Sequence, residues 1–279
     1  MSATRLATRR VEKPWGRHQL WPGFTDVPAG SAPVGEIWFE AEQARDPDLL
    51  VKYLFTGARL SVQVHPGDAD AIAAGYPRGK DEAWVILAAD PGALIALGVT
   101  SPTTREQLKA AAYDGSIVDL LVWAPVAAGD IIYSPAGTIH AIGAGITLIE
   151  IQQNIDLTYR LYDYGRPREL HLDAGVAAAR LTPFIASKPP RTMAPGRAIL
   201  AEGEKFVLER WTAAQHMVLP AGEAGWFVPV TGAGTIGGEA WQGGECWMVS
   251  GDVTVTMAEG ADTLFAYPGA TMLYPPPAA

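Results

Sequence analysis

The sequence contains very little cysteine. Cys246 is the single cysteine among 279 residues, so the chain cannot form an intramolecular disulfide. The same scarcity excludes zinc sites of the Cys₂ or Cys₄ type. A metal site in this chain would therefore be built mainly from nitrogen and oxygen ligands.

Net positive charge and long apolar runs are also lacking. The formal net charge of −9 disfavours nonspecific binding to nucleic acid or to anionic membranes, so we expect neither as a partner. No apolar run reaches the roughly 20 residues that span a bilayer. The basic stretch 1–16 has no apolar core of a secretory signal, and we therefore expect a cytoplasmic protein. The oligomeric state is not predicted. A phosphorylated substrate would need a local cluster of basic side chains.

Turn-forming residues, in contrast, are abundant. There are 30 glycines and 22 prolines, and hydrophobic residues make up 48% of the chain. This composition is typical of a packed protein in which many short strands are joined by tight turns. Apolar or alternating stretches predict strands at residues 34–40, 59–64, 80–90, 93–98, 130–134 and 145–152. We expect the strands 80–90 and 93–98 to pair across the intervening turn.

Helical patterns are confined to two short regions. Residues 101–123 have apolar positions at helical spacing on both sides of Gly115, which predicts two short helices inserted at one end of a barrel. A third short helix is predicted over 173–181. Four prolines indicate a linker over 183–197. The predicted division is a first β unit over 1–182, with the insertion, and a second β unit over 198–279 that weakly repeats it.

Side chains able to bind a metal are few, because the chain has only five histidines. Gln63 and His65 lie at i and i+2 of a predicted strand, so both point to the same face. His140 follows a turn shaped by proline and glycine, and Glu82 begins another strand. Two imidazoles, one carboxylate and one amide oxygen suit Zn²⁺, with Fe²⁺, Mn²⁺ or Co²⁺ as alternatives.

Several motifs together resemble a known family. The two Gly-to-His spacings, at 57–65 and 129–140, match the two motifs of the cupins. The chain is more narrowly similar to the short bacterial form of the type I phosphomannose isomerases, over residues 11–173. The motifs that carry this similarity are EKPWG (12–16), GEIW (35–38), LSVQVHP (60–66), KDEAW (80–84), SPAGTIHAIG (134–143) and EIQQNIDLTYRLYDYGR (150–166).

The resemblance implies a mainly β fold: a cupin-type jelly-roll barrel with a small helical insertion and a second, degenerate C-terminal jelly-roll unit. It also implies a zinc-dependent enzyme that interconverts mannose 6-phosphate and fructose 6-phosphate, with one zinc ion per chain. The zinc ligands implied are Gln63, His65, Glu82 and His140. The active-site residues implied are Arg160 and Lys80.

An aldose–ketose isomerisation needs a base and a group that stabilises the enediolate. The candidates for proton transfer are Glu150, Asp156 and Lys80, and the sequence leaves the choice open. Arg160 and Arg166, with Arg168 nearby, are candidates for binding the phosphate, together with Lys80.

Three alternatives to an isomerase of this kind remain open. The first is a non-enzymatic metal-binding cupin that senses sugar phosphates. The second is another metal-dependent cupin enzyme, for which Gln63 and Arg160 are unexpected. The third is a structural, storage-type cupin, which a single competent site disfavours. The sequence also favours a structural role for Asp81, core packing for Trp15 and Trp38, and no catalytic role for Cys246.

Overall fold

A computed structural model describes residues 2–20, 23–41, 46–186 and 188–273. The fold of these residues is mainly β, as predicted. The helices are α1 (Asp68–Ala73), α2 (Arg105–Asp114), a 3₁₀ helix (Ser116–Leu120) and α3 (Leu172–Ala178). In the described ranges no helix is long and apolar enough to cross a membrane.

The first half of the chain contains twelve of the described strands. They are β1 (Ser2–Arg5), β2 (Ala7–Arg17), β3 (Val34–Glu40), β4 (Leu49–Thr56), β5 (Val62–Val64), β6 (Glu82–Ala89), β7 (Leu94–Val99), β8 (Leu121–Pro125), β9 (Ile131–Ser134), β10 (His140–Ile142), β11 (Ile146–Gln153) and β12 (Tyr159–Tyr162). The later strands are β13 (Arg191–Ala194), β14 (Arg197–Glu202), β15 (Phe206–Trp211), β16 (Gln215–Val218), β17 (Ala224–Thr231), β18 (Ala233–Ile236), β19 (Glu239–Gln242), β20 (Trp247–Ser250), β21 (Asp252–Met257) and β22 (Asp262–Pro268).

These strands form four antiparallel sheets that stack in layers. A five-stranded sheet (β12-β5-β10-β7-β8) faces a six-stranded sheet (β2-β3-β4-β11-β6-β9) across one apolar core. Helices α2 and α3 cover the outer face of the five-stranded sheet. The six-stranded sheet packs its other face on a seven-stranded sheet (β1-β20-β17-β22-β15-β14-β13), which in turn covers a four-stranded one (β16-β21-β18-β19). Every sheet therefore buries at least one face, as layered β folds require.

Strand β4 shows how this layering produces the site. Its eight residues are all buried because apolar layers lie on both of its faces. Val51, Tyr53 and Phe55 point into the core shared with the seven-stranded sheet. By alternation, Lys52 and Leu54 point to the opposite face, towards the five-stranded sheet. One charged side chain is thus placed between the two sheets of the first half.

The predicted pairing of strands 80–90 and 93–98 is wrong. Strand β6 pairs with β11 and β9, whereas β7 pairs with β10 and β8. The turn between them, with Gly92 at φ 81°, carries the chain from the six-stranded sheet to the facing five-stranded sheet. The strand predicted at 59–64 is shorter than expected, since β5 covers Val62–Val64.

The predicted pair of helices around Gly115 is confirmed. Helix α2 begins with a capping box between Thr104 and Gln107, and it ends at Gly115, whose φ of 87° is accessible to glycine at little cost. The 3₁₀ helix follows directly. Residues 121–123 of the expected insertion belong instead to β8, so the helical part is shorter than predicted.

Two details of the structure bear on the predicted division into two units, which stays a prediction. Strand β1 pairs with β20, so the N-terminus joins the sheet of the C-terminal half. Residues 191–194 of the expected linker form β13. Residue 187 of that linker and residues 274–279 of the C-terminal unit lie outside the described residues. The boundary at 182/183 and the jelly-roll topology stay predictions.

Candidate metal centre and active-site cavity

Three of the predicted metal ligands meet between the two sheets of the first half. His65 follows β5, Glu82 begins β6, and His140 begins β10, where it pairs with Gln63. Nε2 of His140 lies 3.1 Å from Oε1 of Glu82, and Nε2 of His65 lies 3.5 Å from the same oxygen. Their side chains are at most 2% exposed. One donor atom from each residue can therefore reach a common point.

Both histidines are oriented by their second ring nitrogen. Nδ1 of His65 lies 2.8 Å from the carbonyl oxygen of Leu157, and Nδ1 of His140 lies 2.9 Å from that of Thr138. A carbonyl oxygen can only accept, so each Nδ1 carries the proton and each Nε2 presents a lone pair to the centre. Burial, with the nearby charge of Lys80, lowers the pKa of His65 to about 4, which keeps it neutral at pH 7.

The carboxylate of Glu82 has unusually few hydrogen bonds for a buried anion. Burial would raise its pKa, but the ammonium of Lys80 and the adjacent imidazoles of His65 and His140 outweigh burial and hold the pKa well below its usual value. Neither carboxylate oxygen accepts a hydrogen bond of good geometry from the described residues, although Lys80 Nζ lies 2.9 Å from Oε2. A buried, incompletely compensated carboxylate is costly unless a cation neutralises it. This donor set fits a divalent metal that prefers nitrogen and oxygen.

Gln63 can complete the donor set. Its Nε2 lies 3.2 Å from Nε2 of His140, and its Oε1 accepts a hydrogen bond from Ser61 at 3.1 Å. The two ends of an amide are assigned from their hydrogen bonds. If the amide is rotated by 180°, Oε1 faces the histidines and Nε2 donates to Ser61. The side chain therefore reaches the centre and has a partner for its other end.

A cavity of about 280 Å³ opens beside this centre. Its lining contains five basic and three acidic side chains, together with polar and apolar residues. The lining residues are Lys13, Trp15, Glu36, Lys52, Leu54, Leu60, Ser61, Gln63, Lys80, Glu150, Asp156, Thr158, Arg160 and Arg168. The cavity is thus cationic in a protein whose overall charge is −9.

A chain of charged groups connects the cavity to the metal centre. Nζ of Lys80 lies 3.4 Å from Nε2 of His65 and 3.8 Å from Oε1 of Glu150. Nζ of Lys52 lies 3.2 Å from the same oxygen of Glu150, whose other oxygen accepts a hydrogen bond from Trp84. The predicted residues Lys80 and Glu150 are therefore in contact with each other and exposed to the cavity.

The three predicted arginines are placed differently. Arg160 lines the cavity, donates to the carbonyl of Glu169, and has a buried Nε without a partner among the described residues. Arg168 also lines the cavity, with its fork on the carboxylate of Asp163. Arg166, predicted to bind substrate, is not part of the described cavity lining. It instead donates to Asp163 and to the carbonyl of Arg59, which hold it outside.

Three cavity residues were missed as site candidates from the sequence: Lys13, Glu36 and Lys52. Lys13 and Glu36 form an ion pair at 3.3 Å, and Lys52 also packs over the ring of Trp38. A usable signal was present, since Glu36 and Lys52 are charged residues inside otherwise apolar strands. Charges in such positions are rare unless they are paired or functional.

The residues expected to be structural have the contacts that such roles require. Asp81 accepts hydrogen bonds from Tyr133 and from the backbone of Ala136. Trp15 is buried in the core, although one side of it also lines the cavity. Cys246 is buried, which raises the pKa of its thiol and disfavours the reactive thiolate.

The chain is thus a layered β protein whose candidate metal site, His65–Glu82–His140, lies beside a cationic cavity. No protein-family profile matches the chain. The chain is 42% identical over 171 residues to mannose-6-phosphate isomerase of Streptococcus mutans, covering 58% of this chain and 54% of that protein. It is 44% identical over 171 residues to mannose-6-phosphate isomerase ManA of Bacillus subtilis, covering 56% and 51%.

Solved structures agree with these sequence matches. The mannose 6-phosphate isomerase structure from Bacillus subtilis has a TM-score of 0.81 at 25% identity, covering 95% of this chain and 99% of that chain. A zinc-bound mannose 6-phosphate isomerase has the same fold, with a TM-score of 0.72 at 14% identity over 96% of this chain and 100% of that chain. By sequence and by fold, the chain belongs to the mannose-6-phosphate isomerase family. The sequence match spans about half the length of the curated relatives.

Proposed function

We propose that this protein is a zinc-dependent isomerase that interconverts mannose 6-phosphate and fructose 6-phosphate through an enediolate. The observation that carries the proposal is that Gln63 and Lys80, which adjoin the His65–Glu82–His140 centre, also line a cavity rich in basic groups. A sugar phosphate brings a dianion and two reactive oxygens, and this arrangement offers cations for both. A cytoplasmic location is part of the same proposal.

The metal would be held by Gln63, His65, Glu82 and His140. Support comes from the two Nε2 atoms directed at Glu82 and from the few hydrogen bonds of this buried carboxylate among the described residues. The zinc-bound relative of the same fold favours zinc. When bound, the ion supplies a Lewis acid for the sugar's carbonyl and hydroxyl oxygens, with one net positive charge if Glu82 is the single anionic ligand.

Proton transfer is assigned to Glu150 with help from Lys80. Glu150 presents its carboxylate to the cavity and would take the proton from C2 of the open-chain aldose and return it to C1. Burial lowers the pKa of Lys80, but Glu150 and Glu82 outweigh burial and raise it. Lys80 therefore stays an ammonium and would donate to the oxygens on which negative charge develops. Asp156, also on the cavity wall, is the alternative base.

The phosphate is assigned to the arginine side of the cavity. Within the described part of the chain Arg160 Nε has no partner there, and its guanidinium offers a planar fork for phosphate oxygens. Arg168 adds a second charge, oriented by Asp163. Arg166, predicted to touch substrate, would act only indirectly by helping to fix Asp163.

The test is conversion of mannose 6-phosphate to fructose 6-phosphate before chelation, after chelation, and after zinc is added back. Activity should disappear with the chelator and return with zinc. His140→Ala should lose both zinc and turnover, whereas His216→Ala, at an exposed histidine, is the matched control. A folded, zinc-loaded protein that binds mannose 6-phosphate without converting it would contradict the isomerase and favour the sensing cupin.

A further inference from the structure

Besides the packing between the six-stranded and seven-stranded sheets, the C-terminal half reaches the surroundings of the metal centre through the turn at residues 203–205, between β14 and β15. Lys205 Nζ lies 2.8 Å from Oδ2 of Asp68 in the first half. Gly203 packs so closely on the ring of Tyr133 that a Cβ at this position would collide with it. The first contact involves Asp68, three residues after the predicted ligand His65, and the second leads through the Tyr133 hydroxyl to Asp81, next to Glu82.

Asp68 lies three residues after His65 and binds the segment that leads to Glu82. Its Oδ1 accepts hydrogen bonds from the backbone N–H of Gly79 at 2.7 Å and from Gln153 at 3.1 Å. Lys80 donates its own N–H to Pro66 at 3.1 Å. The two backbones are packed so tightly that a side chain at Gly79 would meet atoms of residues 66–68. The position of Lys80 is therefore tied to Asp68.

Asp81 fixes the same segment from the other side. Its carboxylate accepts from the hydroxyl of Tyr133 at 2.6 Å and from the N–H of Ala136 at 2.9 Å. Its N–H donates to Oε1 of Gln153, the residue that also binds Asp68. Lys80 and Glu82 are the immediate neighbours of Asp81. Asp68, through Gly79, and Asp81 therefore fix the backbone that carries both side chains.

We propose that the 203–205 turn positions Lys80 and Glu82 in the metal centre, acting through Asp68 and through Tyr133 on Asp81. Lys205 neutralises the carboxylate that binds Gly79, and Gly203 fixes the ring whose hydroxyl binds Asp81. Both residues are positioning residues, since neither reaches the centre itself. The proposal gives the C-terminal half a role in metal binding, and it rests on the metal-binding part of the proposed function.

The expected effects are unequal. Groups that orient metal ligands typically change metal affinity by about 10–100-fold when removed. Tyr133→Phe and Asp68→Asn should each weaken zinc binding about tenfold. The Lys205–Asp68 pair is about one third exposed, so Lys205→Met should lower zinc affinity only about threefold. Lys205→Arg keeps the positive charge and should retain most of the wild-type affinity. The double variant Asp68→Asn, Lys205→Met should bind zinc as tightly as Asp68→Asn alone, because Lys205 acts only through Asp68.

The experiment uses the full chain and measures the zinc dissociation constant by chelator competition, with kcat, KM and the Tm of the zinc-free protein alongside. Arg210→Met is the matched control, because it breaks the Arg210–Asp262 ion pair in the same sheet without touching either aspartate. Zinc affinity that falls in the order given, with the control within about twofold, supports the inference. Equal zinc affinity for Lys205→Met, Tyr133→Phe and the control overturns it.

The zinc measurement also separates this inference from the proposed function. A wild-type protein that binds zinc but does not convert mannose 6-phosphate defeats the isomerase proposal and leaves the positioning effect measurable. Turnover in the wild type with unchanged zinc affinity in every variant defeats the positioning role alone.

Discussion

Lys80 and Glu82 form a buried pair, with Nζ of the lysine 2.9 Å from Oε2 of the glutamate. Side chains two residues apart in extended backbone point to the same face, which brings both into the space between the two sheets. Burial favours a neutral lysine, yet the carboxylates of Glu150 and Glu82 outweigh burial and raise the pKa of Lys80. The centre therefore contains a fixed positive charge next to its single anionic ligand candidate.

Replacing Lys80 should separate catalysis from metal binding. Lys80→Met removes a proton donor from the reacting oxygens, so kcat should fall by about 10²–10⁴. Zinc affinity should stay the same or rise, because the ammonium no longer competes for the carboxylate of Glu82. Steady-state kinetics and chelator competition on the same preparation measure the two effects. A kcat within tenfold of wild type would show that Lys80 does not take part in the chemical step.

Gln63→Glu should separate metal affinity from Lewis acidity. The substitution preserves shape and adds a second carboxylate, so zinc should bind at least as tightly as in the wild type. The net charge of the loaded centre would fall from about one to about zero, and kcat should drop about tenfold or more. Isothermal titration with zinc and turnover assays measure both quantities.

The companion variant is Gln63→Ala, which removes the amide oxygen and should weaken zinc binding. If Gln63→Ala binds zinc as tightly as the wild type, the amide is not a ligand. The prediction for Gln63→Glu would then lose its basis, and the hydrogen bond between Ser61 and the Gln63 amide would have a local structural role only.

The candidate metal ligands could be found from the sequence because they depend on local rules. Gln63 and His65 share a face by strand alternation, and the proline and glycine before His140 mark its turn. The two facing sheets bring His65 and His140 within reach of Glu82. Local rules also located Gly115 as the break between two helices.

The parts that were missed depend on contacts between distant segments. Strands β6 and β7 follow one another along the chain and satisfy hairpin patterns, but their hydrogen bonds go to strands in different sheets. Lys52 enters the cavity only because β4 is covered on both faces. Arg166 was expected at the cavity, yet Asp163 and the carbonyl of Arg59 compete for its guanidinium. None of these long-range contacts can be predicted from residue spacing alone.

The zinc-free protein should lose stability as the pH falls from about 6.5 to about 4. Burial and then the charge of Lys80 lower the pKa of His65 to about 4, against about 6.5 in an unfolded chain. The unfolded state binds the proton first, so stability falls with decreasing pH across this window. The loss between pH 7.5 and pH 5 should be about 2 kcal/mol. Urea unfolding of the chelated protein at both pH values measures it.

Two histidine variants test whether His65 is the source. His65→Asn should remove most of the difference between pH 7.5 and pH 5. His216→Asn should retain it, because this side chain is about half exposed and pairs with Asp252 at the surface. A pH dependence that survives His65→Asn unchanged would assign the loss to other groups.

Arg197 and Glu209 form a buried ion pair in the C-terminal half, so the effects of replacing them on the free energy of unfolding should not be additive. Glu209 is fully buried and accepts two hydrogen bonds from Arg197, one from Trp211 and one from Tyr267. Arg197→Met leaves that carboxylate buried without its counter-charge and should cost about 3–5 kcal/mol of unfolding free energy. The double variant Arg197→Met, Glu209→Met should cost less than Arg197→Met alone, since it removes both charges.

Among the described residues, the side-chain hydrogen bonds of Arg197 and Glu209 do not reach Asp68, Tyr133 or the metal centre, so these variants should leave the zinc affinity of the folded protein unchanged. Chemical denaturation at pH 7, with zinc competition on the folded variants, measures both effects. If the double variant is less stable than Arg197→Met by the full cost of Glu209→Met alone, the two charges act independently. The Arg197–Glu209 contact would then contribute nothing beyond the packing of its two side chains.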